Sequence, residues 1–222
     1  IDVTAPEVTV DPLLTGNASP ELTGEVSDAQ AMVAVTVGGN TYKAVTDSGD
    51  GTWRLPAGVI DPALNDGVYD VIATAVDPAG NTAVDATKDE LVVDLVAPVV
   101  TVDALEVDDT TPALTGTVDD PAASIQIMVD GSYYTAANNG DGTWTLADDA
   151  ITPPLAIGAY DVWARATDAA GNIGTDATVG ELIVLSDQPL LRVTGIDASP
   201  AGIHIVFSYP LGLDQLNLYD SF

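Results

Sequence analysis

The chain repeats itself with a period of about 92 residues, and this repetition constrains its fold more than any other feature of the sequence. At an offset of 92, DVTAPEVTVD recurs as DLVAPVVTVD and PELTGEV recurs as PALTGTV. One deletion later the offset is 91, and GDGTWRL recurs as GDGTWTL. We therefore predict two copies of one structural unit, a first repeat at 1–93 and a second repeat at 94–185, followed by a different unit at 186–222.

The composition indicates a folded but strongly acidic protein. The 222 residues carry 34 acidic and 5 basic side chains, a formal net charge of −29, yet 46% of the residues are apolar, which is enough for a core. Such a negative surface repels phosphate backbones and anionic lipids, so nucleic-acid and membrane-surface binding are excluded. There is no apolar run of 18 residues, and we predict no membrane insertion. Because the chain opens at Ile1 without a signal-peptide pattern, we expect a segment of a longer protein.

The residue types favour short strands joined by many turns. Most of the acids are Asp, which suits turns and oxygen-rich cation sites, and the chain contains 20 Gly and 14 Pro but no Cys. Seven runs of alternating polarity in the first repeat predict strands at Glu7–Val10, Glu21–Val26, Met32–Val37, Thr41–Val45, Thr52–Leu55, Val68–Val76 and Glu90–Asp94. The fold class predicted is all-β: tandem seven-stranded antiparallel β-sandwiches followed by a partial third β unit.

The sixth predicted strand indicates which of its faces is buried. Tyr69, Val71, Ala73 and Ala75 recur in the second repeat as Tyr, Val, Ala and Ala, whereas the alternate positions change freely. The face that keeps its chemistry is expected to be the core face. The matching large core residues on the fifth strand are expected to be Trp53 with Leu55, and Trp144 with Leu146.

Four motifs recur in both repeats: an opening D-x-x-A-P, a G-D-G-T-W hairpin, a G-x-Y-D-V strand and a D-x-A-G-N turn. In these motifs residues 1–185 resemble the bacterial Ig-like tandem repeats of large surface adhesins, the stalk repeats of RTX and biofilm-adhesin type. The resemblance implies Ig-like sandwiches on a secreted or bacterial cell-surface protein, with neighbouring repeats of the same polypeptide as partners. It also implies calcium at the linkers, where repeats of this kind commonly bind it.

Residues 186–222 resemble the opening of another bacterial Ig-like type, carried by the stretch SPAGIHIVFSYPL. Because 37 residues cannot close a sandwich, we expect this unit to be truncated at Phe222 or completed by another chain. An incomplete sheet would expose an edge strand, which favours association.

Residues suited to catalysis are scarce. His204, the single histidine, alternates with Ile203 and Ile205 and is expected to point to solvent from a strand. The G-x-S-x-G motif is absent, and Gly140-Asp141-Gly142 lacks the third glycine of a dinucleotide loop, so this segment is interpreted as a tight hairpin turn. We predict that the protein is not an enzyme and has no catalytic or cofactor-binding residues.

Two binding hypotheses stay open beside plainer interpretations. Asp47 and Asp50 near the first hairpin could contact a cation, although such residues mostly form turns, and no EF-hand spacing is present. Trp163 is predicted on an outward face beside Arg165, near Tyr133 or Tyr134. It could stack on a sugar, or it could simply pack on the Arg165 stem.

Acidic residues concentrate where the two repeats are predicted to meet. The start of the second repeat and two of its turns bring together Asp94, Asp119, Asp120, Asp168 and Asn172. The facing pole of the first repeat is expected to offer Asp11, Asp61 and Asp66, and the equivalent positions at the start of that repeat are Asp2, Asp77 and Asn81. Unneutralised carboxylates would push the repeats apart, whereas a hard cation with six to eight oxygen ligands would clamp them. We predict calcium at this junction; the alternative is a solvated acidic surface.

The sequence thus favours a calcium-stiffened extracellular spacer of a large bacterial cell-surface adhesin, because duplication suits a part whose property is length. Any glycan or surface ligand would then bind through other domains. The alternative is a carbohydrate-binding or other ligand-binding β-sandwich module of a secreted multidomain protein.

Overall fold

The computed structural model describes residues 2–46, 50–85, 87–176, 178–186, 193–199 and 202–207. These residues form strands, turns and bends without a helix, which confirms the all-β prediction. Accordingly, the described residues include no helix of the length and apolarity needed to cross a membrane. Two separate hydrophobic cores, one in each repeat, organise the chain from Val8 to Val184.

The first repeat contains ten short strands. They are β1 (Leu13–Thr15), β2 (Leu22–Glu25), β3 (Met32–Val37), β4 (Asn40–Lys43), β5 (Val45–Thr46), β6 (Thr52–Leu55), β7 (Gly67–Tyr69), β8 (Ile72–Val76), β9 (Thr82–Val84) and β10 (Leu91–Val93). They pair in the orders β1-β10-β7, β2-β6-β5 and β4-β3-β8-β9. All pairs are antiparallel except β1 with β10, which run parallel with Leu13 opposite Leu91.

The second repeat reproduces this arrangement with nine strands. They are β11 (Leu105–Val107), β12 (Leu114–Thr117), β13 (Ser124–Val129), β14 (Ser132–Asn138), β15 (Thr143–Leu146), β16 (Gly158–Tyr160), β17 (Val162–Thr167), β18 (Ile173–Thr175) and β19 (Leu182–Val184). The orders are β11-β19-β16 and β12-β15-β14-β13-β17-β18. The single strand β14 replaces the interrupted pair β4 and β5, and so it joins two groups of strands that stay separate in the first repeat.

The long sixth strand predicted at Val68–Val76 is divided in the structure. Its first part, β7, pairs with β10, and its second part, β8, pairs with β3 in a different sheet. The backbone amide of Val71 lies between these two parts, where the chain passes from one sheet to the other. It donates a hydrogen bond at 3.0 Å to the buried Glu90 carboxylate. Glu181 does the same for Val162 N in the second repeat. A buried acceptor is needed because an unpaired buried amide is costly.

The predicted strand at Glu7–Val10 is only a single antiparallel bridge between Val8 and Val26, flanked by the backbone hydrogen bonds from Thr9 N to Glu25 O and from Ser27 N to Glu7 O. Two strands were not predicted, β1 and β9, because three-residue segments with one exposed face give little alternation to detect. The other predicted strands agree with the structure to within one or two residues, apart from the break at Ala44.

The predicted core faces are confirmed. Val71, Ala73 and Ala75 are fully buried, and Tyr69 packs against the same core. Trp53 with Leu55, and Trp144 with Leu146, are the matching buried residues of β6 and β15. Each indole Nε1 donates a hydrogen bond at 2.8 Å to a backbone carbonyl of the segment that opens its repeat.

Beyond the two cores lies a hairpin of β20 (Val193–Ser199) and β21 (Gly202–Phe207), with Ile196 opposite Ile205. It belongs to the third unit predicted at 186–222. His204 is in β21, opposite Asp197, and its side chain lies outside the described part of the structure.

Candidate functional site at the junction of the repeats

The opening motif of each repeat is held by the D-x-A-G-N turn of the same repeat. In the second repeat Asn172 Nδ2 donates to the Asp94 carbonyl at 2.7 Å and to Asp168 Oδ2 at 2.8 Å. Asp168 Oδ1 accepts the Asn172 backbone amide at 2.8 Å. Because Nδ2 has two acceptors, the orientation of the Asn172 amide is determined. Asp94, Asp168 and Asn172 thus form a clasp that fastens the linker.

The first repeat contains the same clasp. Asn81 Nδ2 donates to the Asp2 carbonyl at 3.3 Å and to Asp77 Oδ2 at 2.7 Å. The hydrogen bond from Asn81 lowers the pKa of Asp77 below its ordinary value. Burial opposes the charge of Asp168, but hydrogen bonds from Asn172 and the turn amides outweigh burial and lower its pKa. Both carboxylates are therefore held ionised.

Contacts across the junction bind the linker to the first repeat. Asp94 N donates to Thr15 O at 3.0 Å, and Leu95 N donates to Asp66 Oδ1. The backbone of Gly16 donates to Ala170 O at 2.8 Å, which joins the first repeat directly to the turn of the clasp. A Cβ at Gly16 would overlap the Asn172 amide group, so this close approach requires glycine.

Four aspartates line one surface cavity of about 240 Å³ at the linker, together with Val96, Ala97 and Pro98. Three of them share an arrangement in which Oδ1 accepts a backbone amide while Oδ2 accepts no hydrogen bond from the described residues. The amides are Val96 N for Asp94 (3.0 Å), Val99 N for Asp119 (2.7 Å) and Ala122 N for Asp120 (2.8 Å). The fourth, Asp168, uses both oxygens in the clasp. Asp94, Asp119 and Asp120 are thus each anchored by one oxygen and have the other left for a ligand.

The remaining residues of the predicted site are distributed as follows. Asp66 is at the junction, where it accepts Leu95 N, and Asp2, Asp77 and Asn81 meet in the clasp of the first repeat. Asp61 and Asp11 do not line the cavity: the backbone of Asp61 bonds the Tyr42 hydroxyl, and the Asp11 carboxylate accepts Thr23 Oγ1 at 2.7 Å. The structure therefore brings four of the predicted ligands together in the cavity, Asp94, Asp119, Asp120 and Asp168, with Asn172 and Asp66 on the linker beside it.

Two further observations concern cations. Asp50 accepts the amide and hydroxyl of Thr52, which is the geometry of a turn, whereas Asp47 lies outside the described residues. Over the described ranges, no three Asp, Glu or His side chains are already converged on a point where they could hold a metal ion. The aspartates of the cavity surround a common space without closing on it.

Gly16 is a residue of the junction that no pattern in the sequence predicted. Its φ is not in the left-handed region, so no turn pattern marks it, and the need for glycine comes from the close approach of another repeat. A signal exists in the alignment of the two repeats, since the equivalent of Gly16 is Asp108. That difference marks a position whose surroundings differ between the two repeats.

The comparisons with known proteins define the class. Residues 9–95 and 102–184 match the family described as bacterial Ig-like domain, and these two ranges cover more than half of the chain. The chain belongs to this family, with two copies in tandem, which confirms the predicted resemblance. No curated protein matches the sequence.

The solved structures that match this chain share little sequence with it. The fibronectin(III)-like modules of Clostridium thermocellum CbhA are 15% identical, with 81% of this chain and 95% of that chain covered and a TM-score of 0.48. A structure of a 1.5-MDa bacterial ice-binding adhesin is 19% identical, with 88% and 70% covered and a TM-score of 0.42. A Ca²⁺-stabilised adhesin of an Antarctic bacterium is 20% identical, with 89% and 53% covered and a TM-score of 0.40.

Proposed function

We propose that this chain is a non-catalytic, calcium-stiffened spacer segment of a large extracellular bacterial adhesin. The observation that carries the proposal is a set of three anchored aspartates beside the linker, Asp94, Asp119 and Asp120. In each of them Oδ2 accepts no hydrogen bond from the described residues. Their repulsion costs free energy as long as no cation neutralises them. The linker between the repeats is therefore the element that a cation would control.

The donor set fits calcium in its chemistry. Every candidate ligand is an oxygen, and calcium accepts six to eight oxygen ligands in flexible geometry. Asp94, Asp119 and Asp120 would hold the ion through Oδ2, while Asp168 and Asn172 keep the linker in position through the clasp. Because no three acidic side chains in the described part are already converged, we expect their exposed ends to rotate toward the ion. Asp61 and Asp11 are not included in the proposed set.

The spacer role rests on duplication and on the resemblance to adhesin stalk repeats. The two copies have the same core and the same clasp, and repetition of one unit lengthens a chain. We assign the protein to the cell surface or the secreted space, with neighbouring Ig-like repeats as its partners. A lack of catalysis agrees with a sequence that has one histidine and no cysteine.

Calcium binding by the whole chain tests this proposal. We expect calcium to raise the melting temperature, and Asp119→Asn to weaken that rise because it removes one charged ligand. Asp148→Asn is the matched control, since Asp148 is an exposed aspartate that does not line the cavity. Equal rises for both variants, or equal rises with sodium, magnesium and calcium at matched ionic strength, would leave only a solvated acidic surface and would contradict the proposal.

A further inference from the structure

The outward face of the second repeat carries a row of large side chains across three strands. The ladder sets Met128 of β13 opposite both Tyr133 of β14 and Trp163 of β17. Directly opposite residues of antiparallel strands project to the same face about 5 Å apart. Tyr133 is 60% exposed, and Met128 and Trp163 are half-buried, so their outer surfaces face solvent.

A second row beside the first is polar. Gln126 of β13 is opposite Thr135 of β14 and Arg165 of β17. These three residues, with Ser124 and Thr167, line a cavity of about 270 Å³. The face therefore combines an apolar stripe with hydroxyl, amide and guanidinium groups at its side.

The first repeat has no such face at the equivalent positions. Where the second repeat has Met128, Tyr133 and Trp163, the first has Thr36, Thr41 and Ile72 in the same register, and the two threonine hydroxyls bond each other at 2.8 Å. Because the two repeats share their cores and clasps, the three large side chains of the second repeat are not needed to form the common fold. Large aromatic residues in a contiguous outward row are typical of a contact surface.

Arg165 adds a second, independent observation. It is the only basic residue between 94 and 185, in a chain with a net charge of −29. It nevertheless forms no ion pair within the described part, and its Nε is buried without a hydrogen-bond partner. The guanidinium of Arg165 therefore has donors that no described residue uses, and a polar ligand on this face can accept from its exposed end.

The geometry points to a neutral oligosaccharide as the ligand, and we propose that this face is a glycan-binding surface. The row from Tyr133 to Trp163 spans two inter-strand spacings, about 10 Å, which is the scale of a disaccharide. Sugar faces can stack on the two aromatic rings while their hydroxyls meet Gln126, Thr135 and the guanidinium group of Arg165. The negative field of the chain disfavours acidic polysaccharides. The cavity is smaller than the roughly 300–1,000 Å³ of an enclosing ligand pocket, which fits surface contact with a chain of sugars.

A glycan array probed with the full chain tests this surface. The probes are immobilised cello-, xylo-, manno-, laminari- and chito-oligosaccharides, with alginate and polygalacturonate as acidic controls. We expect binding to at least one neutral probe and a loss of at least about tenfold in affinity for Trp163→Ala, equivalent to about 1.4 kcal/mol. Ile72→Ala is the matched control, because it changes the equivalent position of the first repeat and should leave the affinity unchanged.

Thermal unfolding of each variant shows whether the fold is kept, and Tyr133→Ala and Arg165→Gln give independent tests if Trp163→Ala unfolds. Binding should persist without calcium, so the result is separable from the stiffness of the linker. The inference is overturned if no neutral probe binds, or if Ile72→Ala and Trp163→Ala weaken binding equally. It is also overturned if only acidic probes bind, or if Trp163→Ala changes the oligomeric state, because the row would then hold a second copy of the chain.

Discussion

Trp144 shows how one residue fastens the segment that opens the second repeat to the core of that repeat. Its ring is fully buried, and its Nε1 donates to Thr101 O at 2.8 Å. A Cβ at Gly116, directly opposite in β12, would overlap both the indole and Thr101 O. This explains why the L-T-G motif keeps its glycine in both repeats.

Replacement of this ring should be severely destabilising. We expect Trp144→Ala to lower the free energy of unfolding of the second repeat by about 3–5 kcal/mol, because a buried ring is replaced by a cavity. Trp163→Ala, the same change at an outward position of the same repeat, should cost well under half as much. Denaturant unfolding measures both, and equal effects would mean that the two strand faces are assigned incorrectly.

Glu181 and Asp168 link stability to pH. Burial alone would raise the pKa of Glu181, but hydrogen bonds from Thr178 and Val162 N outweigh burial and hold it below its ordinary value. The pKa of Asp168 is lowered in the same way, because hydrogen bonds from Asn172 outweigh its burial. A carboxyl whose folded pKa is depressed stabilises the fold above its unfolded pKa, which is about 3.9 for Asp and 4.3 for Glu. That stability is lost as the pH falls through the folded pKa.

We therefore expect the melting temperature to fall between about pH 5 and pH 3. Glu181→Gln should flatten this dependence, because the glutamine oxygen can still accept Val162 N but no longer titrates. A thermal scan at each pH measures the effect. A melting temperature that rises on acidification would mean that relief of the net negative charge outweighs these hydrogen bonds.

The linker at 94–98 is the element on which the geometry of the junction depends. Its backbone bonds Thr15 O and Asp66 of the first repeat, while Gly16 bonds Ala170 O of the second. A side chain at Gly16 would be forced against Asn172 and would compete with the clasp.

Gly16→Asp should therefore loosen the junction without unfolding either repeat. We expect larger inter-repeat motion in NMR relaxation, while the free energy of unfolding of each core changes by only about 0.5 kcal/mol, since the position is outside both cores. Asp108→Ala, at the equivalent position of the second repeat, is the control and should leave the motion unchanged. If the inter-repeat motion of the Gly16→Asp variant were no larger than that of the control, the contact between Gly16 and Asn172 would not hold the repeats together.

The sequence predicts regular elements far better than it predicts the contacts between repeats. Alternation and internal repetition were sufficient for the strands around Trp53 and Trp144 and for the buried face from Val71 to Ala75. They were not sufficient for the division of Val68–Val76 between two sheets, because the change of partner depends on a buried glutamate about 20 residues away in the chain. The aspartates at 94, 119, 120 and 168 were grouped correctly from strand topology, whereas Asp61 and Asp11 bond other residues of the first repeat and do not line the cavity.

At the scale of the whole molecule, the two repeats end differently. Asp66 lies near the end of the first repeat and Asp94 directly follows that repeat, whereas Ile157 and Leu185 occupy the corresponding positions 91 residues later. Both of these apolar side chains are exposed, and Asp108 replaces Gly16. Because Ile157 and Leu185 have no carboxylate, the side-chain contacts of Asp66 and Asp94 have no counterpart at the end of the second repeat. We expect a cation to act on one linker in this chain, at 94–98.

Small-angle scattering of the full chain with and without calcium tests the central claim most directly. If calcium closes the aspartates around the linker, the maximum dimension should increase and the signs of flexibility should fall, because the hinge loses freedom. Magnesium should do much less, since it holds its waters and demands tighter octahedral geometry. Sodium chloride at matched ionic strength controls for screening, which acts over about 10 Å at 0.1 M without distinguishing divalent ions. Scattering curves that are the same in calcium, magnesium and sodium, or a calcium effect that survives Asp94→Asn with Asp119→Asn, would contradict the account.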